Sequence, residues 1–294
     1  MRSLFIMLGL LAQFGVLGGC VTTDADGPMS QRQAVMRVPF AGDRAVTVEG
    51  DNGDIAVRRG EAQEAVITAD IRARTARRGE SVRIVAQTSP EGDLSVRVQW
   101  PIGWREAGEA ASLIVELPAC AALTVHTGNG SIAVEGLSGE ARIDSGNGEV
   151  SLKGHQGDAE ISTRNGSVEL IDHRGACRVR TSNGPVDLRG VTGRVQVVTA
   201  NGPIEVALSD DNPGPVDIRT TNGSVHLEVG PGFRGETRAE SFNGRVRVRV
   251  LTGAIEMDDE REWAVVRREG SEPRSRVRTT NGRIDLRERA VQEN

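Results

Sequence analysis

The chain of 294 residues contains no tyrosine, and aromatic residues make up only 3% of it. Lys153 is its only lysine, and the abundant arginines form no basic run interleaved with aromatic side chains. Nucleic-acid-binding surfaces combine concentrated positive charge with aromatic stacking platforms. Because both features are missing and the net charge is −5, we expect no nucleic-acid partner.

Long hydrophobic runs are also scarce, and the one long run lies between Leu4 and Leu17. It is shorter than the roughly 20 apolar residues of a membrane-spanning helix and predicts a signal peptide over residues 1–19. The run ends in the sequence LGGC at Cys20, which resembles the lipobox of bacterial lipoproteins. That resemblance implies that a lipidated Cys20 holds the protein on a membrane of the cell envelope, and in a two-membrane bacterium on the outer membrane. An ordinary cleaved signal peptide is the alternative.

Glycine, in contrast, is abundant at 36 residues, and it follows asparagine at regular intervals. Four successive intervals are 18 residues long, the next two are 21 and the last is 38. A fixed period of this kind predicts stacked units that bury their apolar faces against their neighbours. The repeated pairs are Asn129-Gly130, Asn147-Gly148, Asn165-Gly166, Asn183-Gly184, Asn201-Gly202, Asn222-Gly223, Asn243-Gly244 and Asn281-Gly282.

Each period predicts two short strands. In residues 129–146, apolar residues alternate with polar ones around Ile132 and again around Ile143. Such alternation indicates half-buried strands. One corner between the strands is the Asn-Gly pair and the other is a second glycine-rich stretch, GLSG in this period. The pattern therefore predicts an all-β coil of 18–21 residues with two strands per turn.

Two architectures could use this pattern: a parallel β-solenoid or an antiparallel meander of Asn-Gly hairpins. Reading back in steps of two from Asn129 gives Thr127 and Val125, so the amide and the hydroxyl are expected on the apolar face. In a parallel stack, like residues lie about 4.8 Å apart, so asparagines can form a hydrogen-bonded ladder while each glycine takes a positive-φ corner. A meander does not require the hydroxyl. We therefore predict a parallel β-solenoid, with right-handed winding.

The regions outside the regular period are expected to differ. Residues 20–35 are polar and indicate a flexible tether. Residues 36–120 contain longer alternating runs, which predict an antiparallel β section that caps the solenoid of residues 121–288. Residues 289–294 form a tail.

Two enlarged corners, ALSDDNPGP and EVGPGFRGE, are expected to carry variable contacts. The stretch between residues 245 and 278 predicts a long loop or a degenerate coil. The acidic stretches SDDN and EMDDERE could suggest calcium, but they lack the regular spacing of calcium loops and are interpreted as solvated.

Residues that could support catalysis or metal binding are few. His155 and His173 occupy the same corner on neighbouring coils, but Leu137 and Val191 flank them in register and no third ligand is evident. We interpret the two histidines as solvated. The serines belong to repeat positions, so no Ser-His-acid arrangement stands out. The sequence therefore predicts no catalytic residue, no metal site and no cofactor.

Cys120 and Cys177 could form a disulfide in an oxidising compartment. By register, however, Cys177 matches Leu123 three coils earlier, roughly 14 Å along the stack. A disulfide needs Cα atoms within about 7 Å of each other, so both thiols are expected to be free.

The sequence VELPACAALTVHTGNGSIAVEG, followed by copies of T-x-N-G-x-[IV]-x-[LV], resembles the bacterial putative-adhesin family, a domain of unknown function. The resemblance covers residues 36–288. It implies an envelope-associated β-solenoid without an assigned reaction, and the final interval of 38 residues departs from the family pattern.

These observations favour a non-enzymatic, lipid-anchored scaffold that binds an envelope polysaccharide or protein. A polysaccharide-active enzyme on a β-solenoid is the first alternative, and it would need clustered acids or an Arg/Lys pair on one face. An accessory protein of an envelope-stress regulatory system is the second alternative.

Overall fold

The computed structural model describes residues 29–101, 104–268 and 272–290. The expected signal peptide and Cys20 lie outside the described residues. One short helix, α1 (Ala76–Ser81), begins after Thr75, whose side chain accepts a hydrogen bond from the Arg78 amide at 3.2 Å. Within the described ranges, no helix has the length and apolar character that a membrane span requires.

The strands form two sheets that enclose one core. Sheet 1, which carries the asparagines, has 13 strands, and sheet 2 has 12. In spatial order, sheet 1 consists of β22 (Ala254–Met257), β23 (Trp263–Arg267), β20 (Glu236–Asn243), β24 (Arg274–Asn281), β18 (Val216–Asn222), β16 (Val195–Asn201), β14 (Cys177–Asn183), β12 (Ala159–Asn165), β10 (Glu140–Asn147), β8 (Ala122–Asn129), β2 (Ala45–Asn52), β6 (Leu94–Gln99) and β5 (Arg83–Thr88). Sheet 2 consists of β1 (Ser30–Pro39), β4 (Glu64–Ala73), β7 (Ala110–Leu117), β3 (Ile55–Arg59), β9 (Ile132–Glu135), β11 (Val150–Lys153), β13 (Val168–Ile171), β15 (Val186–Val191), β17 (Ile204–Leu208), β19 (Val225–Val229), β25 (Ile284–Glu288) and β21 (Val246–Arg249).

A strand of sheet 1 and the strand of sheet 2 that follows it make one turn of the coil, which we call a rung and name by its asparagine. From the Asn129 rung to the Asn222 rung, each strand pairs in parallel with its counterpart in the next rung. Like residues are in register, so Val125, Ile143 and Ile161 form one buried column. The parallel β-solenoid is confirmed, and its core consists of the mostly aliphatic side chains buried between the two sheets.

The parallel stack extends further towards the amino terminus than the boundary expected at residue 121. Strand β2 pairs in parallel with β8, and Asn52 lies opposite Asn129. Strands β6 and β7 then pair in parallel with β2 and β3 on the outer side. The antiparallel pairs are β1 with β4, β4 with β7, and β5 with β6. The N-terminal cap is therefore built around a true rung, because Asn52-Gly53 supplies the same corner as the later pairs.

At the other end, the last rung in the sequence is not the last in space. Strand β24 lies between β18 and β20, and β25 lies between β19 and β21. The Asn281 rung is thus inserted between the Asn222 and Asn243 rungs. Residues 245–278, expected to be a loop or a degenerate coil, contain β21 and the antiparallel pair β22–β23, which extends sheet 1 beyond β20.

Candidate functional site

A ladder of asparagine side chains runs along one corner of the stack. The Nδ2 atom of each donates to the Oδ1 atom of its neighbour at 2.7–2.8 Å, in the spatial order Asn129, Asn147, Asn165, Asn183, Asn201, Asn222, Asn281 and Asn243. These side chains are exposed rather than inward-facing, although each lies two positions after a buried hydroxyl. Asn52 donates instead to the backbone oxygen of Glu109 at 2.8 Å.

The hydroxyl two positions before each asparagine of the ladder is buried, and all of them except that of Thr199 donate to a neighbouring backbone carbonyl. Ser145 donates to the carbonyl oxygen of Gly130 at 3.1 Å, and Thr279 donates to that of Gly223 at 2.9 Å. Each carbonyl belongs to the corner glycine of the adjacent rung. The repeated Thr or Ser therefore satisfies a buried acceptor between rungs, a reason that sequence spacing alone did not reveal.

The corner glycines are required mainly by close approach of the backbone. A Cβ atom on Gly166 would lie 1.9 Å from the carbonyl oxygen of Gly148, and one on Gly148 would lie 2.1 Å from that of Gly130. A positive φ is the smaller part of the explanation. It occurs at Gly130, Gly148, Gly184 and Gly202, where φ lies between 143° and 153°, but not at Gly166, Gly223, Gly244 or Gly282.

His155 and His173 are not solvated, which corrects the sequence interpretation. Their side chains are buried, and the rings stack with centroids 5.6 Å apart and planes 7° from parallel. No ring nitrogen of either residue has a hydrogen-bond partner. Burial lowers the pKa of both imidazoles, and the pKa of His173 falls to about 4. Their apolar neighbours Leu137 and Val191 were the signal for this burial.

The two cysteines are free thiols, as the register predicts. Cys177 is linked to Leu123 through Ala159 and Ala141, one position per rung. Burial raises the pKa of Cys120 to about 11 and that of Cys177 to about 12. Neither thiol is therefore suited to nucleophilic chemistry.

The enlarged corners partly face inward. In the first, Asn212 is buried and donates to the carbonyl oxygens of Val191 and Gly193 at 2.8 and 3.0 Å. In the second, Phe233 is buried. Asp211 accepts a hydrogen bond from Ser209, which lowers its pKa. These insertions therefore help to close the core at the corner.

Carboxylate oxygens of Asp258, Glu260 and Glu262 lie within 4.8 Å of one another. Asp258 accepts a hydrogen bond from the Trp263 amide at 2.9 Å, which lowers its pKa. Asp258 therefore stabilises the turn before β23.

One buried ion pair lies at each end of the stack. At the N-terminal end, the carboxylate of Glu109 accepts hydrogen bonds from Arg78 Nε at 2.7 Å and from the Glu106 amide at 2.8 Å. Burial alone would raise the pKa of Glu109, but these hydrogen bonds lower it. At the C-terminal end, Arg268 and Glu288 lie 3.5 Å apart, and burial lowers the pKa of Arg268. The first pair joins α1 to the residues before β7, and the second joins the residue after β23 to the last residue of β25.

The outward faces carry charges that pair across rungs. Glu160 contacts Arg180 at 2.8 Å and Arg142 at 3.7 Å, whereas Arg178 donates to Gln196 at 2.8 Å. The register expected for Arg142, Glu160 and Arg178 is present, but the closest pair runs diagonally.

One outward column contains His126, Asp144 and Ser162 in that order. His126 Nδ1 lies 3.0 Å from Asp144 Oδ1. The acid lies between the imidazole and the hydroxyl, so Ser162 is two strand spacings, about 9.6 Å, from His126. A nucleophile and its base must lie within hydrogen-bond reach, so this column does not form a hydrolytic triad.

An open groove of about 750 Å³ lies on the outer face of sheet 1 near its C-terminal end. Its lining includes Arg219, Glu240, Phe242, Trp263 and Arg278. None of these residues is among the sites predicted from the sequence. The repeat does contain a sign of the groove, because Phe242 occupies a column in which the Asn222 and Asn281 rungs carry threonine.

The family model described as Toastrack DUF4097 matches residues 27–287. The chain belongs to the Toastrack DUF4097 family. The resemblance to a putative-adhesin domain of unknown function is thereby confirmed. This Toastrack chain matches no curated protein in sequence.

Solved structures resemble the Toastrack chain at low identity. A protein described as a putative adhesin from Bacteroides fragilis NCTC 9343 has 9% identity and a TM-score of 0.51, covering 86% of this chain and 96% of its own. A protein described as a putative lipid binding protein from Parabacteroides distasonis ATCC 8503 has 12% identity and a TM-score of 0.46, covering 86% of this chain and 96% of its own. The first of these likenesses supports the fold alone.

Proposed function

We propose that this Toastrack chain is a non-enzymatic binding protein of the cell envelope that presents the rigid faces of its solenoid to an envelope polysaccharide or protein. The observation that carries the proposal is the stack itself: like residues repeat in register from Asn129 to Asn243 and form extended outward columns. Stacked repeats of this kind provide long, continuous surfaces suited to extended partners. Some outward charges of the middle rungs pair across the stack, as Glu160 does with Arg142 and Arg180.

Anchoring through Cys20 is the second part of the proposal. The LGGC sequence supports lipidation, and the polar residues that follow supply a tether to the first strand at Ser30. Two or more acyl chains give stable membrane attachment, whereas one gives marginal attachment. We propose that the anchored protein resides on the outer membrane.

The test uses the full chain and its Cys20→Ser variant in a two-membrane bacterium. The wild-type chain should sediment with outer membranes and incorporate a labelled palmitate analogue, and the variant should do neither. Membrane sedimentation of the variant would contradict the anchoring.

Binding is tested separately by incubating the detergent-solubilised full chain with isolated envelopes. Saturable capture without release of reducing ends is the expected result. Release of reducing ends from an envelope polymer would favour the enzymatic alternative, and failure to bind any envelope fraction would overturn the binding role.

A further inference from the structure

The groove on the outer face of sheet 1 is built from outward residues of five adjacent strands. From the middle of the stack to its end these are β16, β18, β24, β20 and β23, which contribute Val198, Arg219, Arg278, Glu240 and Trp263. Adjacent strands lie about 4.8 Å apart, so the groove extends about 19 Å across the sheet. An elongated ligand is favoured over a compact one.

Two aromatic side chains border the end of this groove. The described residues include six phenylalanine and tryptophan side chains, and Phe40, Phe233 and Trp100 are buried in the core. Phe242 is 77% exposed, although the same column carries threonine in the neighbouring rungs. Trp263 lies opposite Glu240 in the antiparallel pair of β20 and β23, so it projects from the same face. In a chain with so few aromatic residues, two on one groove indicate a contact surface.

The polar groups of the groove are fixed and balanced in charge. Arg278 Nε lies 2.7 Å from Glu240 Oε2, and Arg219 donates to both carboxylate oxygens of Asp217 at 2.9 and 3.1 Å. The hydroxyl of Thr199, which also lines the groove, is buried and has no hydrogen-bond partner. Planar guanidinium and carboxylate groups held in place in this way can exchange hydrogen bonds with neutral hydroxyl groups without reorganisation.

These features discriminate among classes of partner. A nucleic acid would require excess positive charge, whereas the two arginines that line the groove, Arg219 and Arg278, are matched there by Glu240 and Glu262. An extended peptide that adds a strand would need a free sheet edge, but the backbone beneath the groove is paired from β16 to β23. A saccharide ring offers an apolar face for an aromatic side chain and hydroxyls for the charged groups beside it.

Resting on the proposed binding function, we propose that this groove is the site that binds a neutral polysaccharide chain, with Phe242 and Trp263 stacking on sugar rings and the Arg278–Glu240 pair binding hydroxyls. The groove thus gives the envelope-binding role a ligand class and a location.

The experiment measures binding of neutral oligosaccharides, including oligomers of glucose and of N-acetylglucosamine, to the full chain by calorimetry and tryptophan fluorescence. The variants are Phe242→Thr, which introduces the residue found in the neighbouring rungs, and Trp263→Thr. The control is Trp104→Thr, which changes an exposed tryptophan at the other end of the molecule. Each groove variant should weaken binding by at least about tenfold, and the control should bind as the wild type does. Near-ultraviolet and far-ultraviolet circular dichroism establish that the variants are folded.

Three results would overturn the proposal: no binding of any neutral oligosaccharide, unchanged affinity of both groove variants, or selective binding of peptides at this groove. Envelope capture separates this failure from failure of the proposed function. If the wild type and Phe242→Thr chains capture envelopes equally well, the groove assignment is wrong while the binding role stands. If the wild type captures none, the binding role itself is wrong.

Discussion

The middle of the solenoid and its two ends are held together differently. From Asn129 to Asn201, each 18-residue period stacks on the next in sequence order, and the same hydrogen bonds recur on every rung. At the amino-terminal end, the later strands β6 and β7 cover the Asn52 rung, and at the other end the earlier Asn243 rung covers the Asn281 rung. Buried ion pairs, Arg78–Glu109 and Arg268–Glu288, occur at these ends. A repeat is stabilised by contacts with the repeats on both sides, so the repeats at the ends require other interactions.

The largest effect is expected from breaking an end. Glu109→Ala leaves Arg78 and two backbone amides, those of Arg74 and Glu106, without their buried acceptor, so the free energy of unfolding should fall by about 3–5 kcal/mol. The matched change in the middle is Glu160→Ala, where the ion pairs are solvent-accessible and the loss should be below about 1 kcal/mol. Urea unfolding of the two variants measures the difference. Equal losses would show that the ends do not depend on the buried pair.

A glycine substitution tests the close stacking of the middle. Gly166→Ala places a Cβ atom 1.9 Å from the Gly148 carbonyl oxygen, and it should destabilise the fold by about 3 kcal/mol because the rungs must move apart. Gly154→Ala is the control, since it meets nothing within 4 Å but has a φ of 62°. Its expected loss is about 1 kcal/mol from backbone strain. Thermal unfolding compares them, and a larger loss for Gly154→Ala would contradict the stacking explanation.

The buried histidines make the middle sensitive to acid. The folded state holds the pKa of His173 at about 4, below its ordinary 6.5, so protons favour the unfolded chain. The free energy of unfolding is therefore unaffected by this histidine well above about pH 6.5 and decreases as the pH falls towards 4. At about pH 5 it should be about 2 kcal/mol lower than at high pH. Carboxylates with lowered pKa values, such as Glu109, lose their contribution only below the ordinary value of 4.5.

The test is urea unfolding of the wild type and of His173→Val, which introduces the side chain that follows in the column at Val191. The variant should show a smaller loss between about pH 6.5 and about pH 5. Identical pH profiles would exclude His173 as the cause.

The smallest effect is expected in the asparagine ladder. Asn165→Ala removes a hydrogen bond to Asn147 and one from Asn183, whereas Asn243→Ala removes only the one to Asn281. Because water replaces part of each interaction at these exposed side chains, the losses should be about 1 and about 0.5 kcal/mol. Chemical denaturation resolves the two values, and a greater loss at Asn243 would reverse the distinction between middle and end.

Much of the stack could be predicted from the sequence, because identical residues at a fixed period define both strands and their register. The period could not give the spatial order of the last rungs. The Asn281 and Asn243 rungs carry the same corner residues, so either could pair with the Asn222 rung, and the repeat does not show that β23 pairs with the outer edge of β20.

The early Asn52-Gly53 pair was overlooked as a rung for a related reason. The interval of 77 residues from Asn52 to Asn129 hides the fact that the two corners are neighbours in space. The candidate groove was missed because it depends on Trp263, whose position beside Glu240 is set by an antiparallel strand outside the repeat.

The insertion of β24 and β25 has a consequence for biosynthesis. The strands on either side of β24, which are β18 and β20, are complete well before the final residues of the chain have been translated, yet neither can pair with β24 until those residues arrive. A nascent chain stalled before Arg274 would therefore lack the inner Asn281 rung. A premature stop there would leave a gap between the Asn222 and Asn243 rungs instead of shortening the solenoid by its last rung.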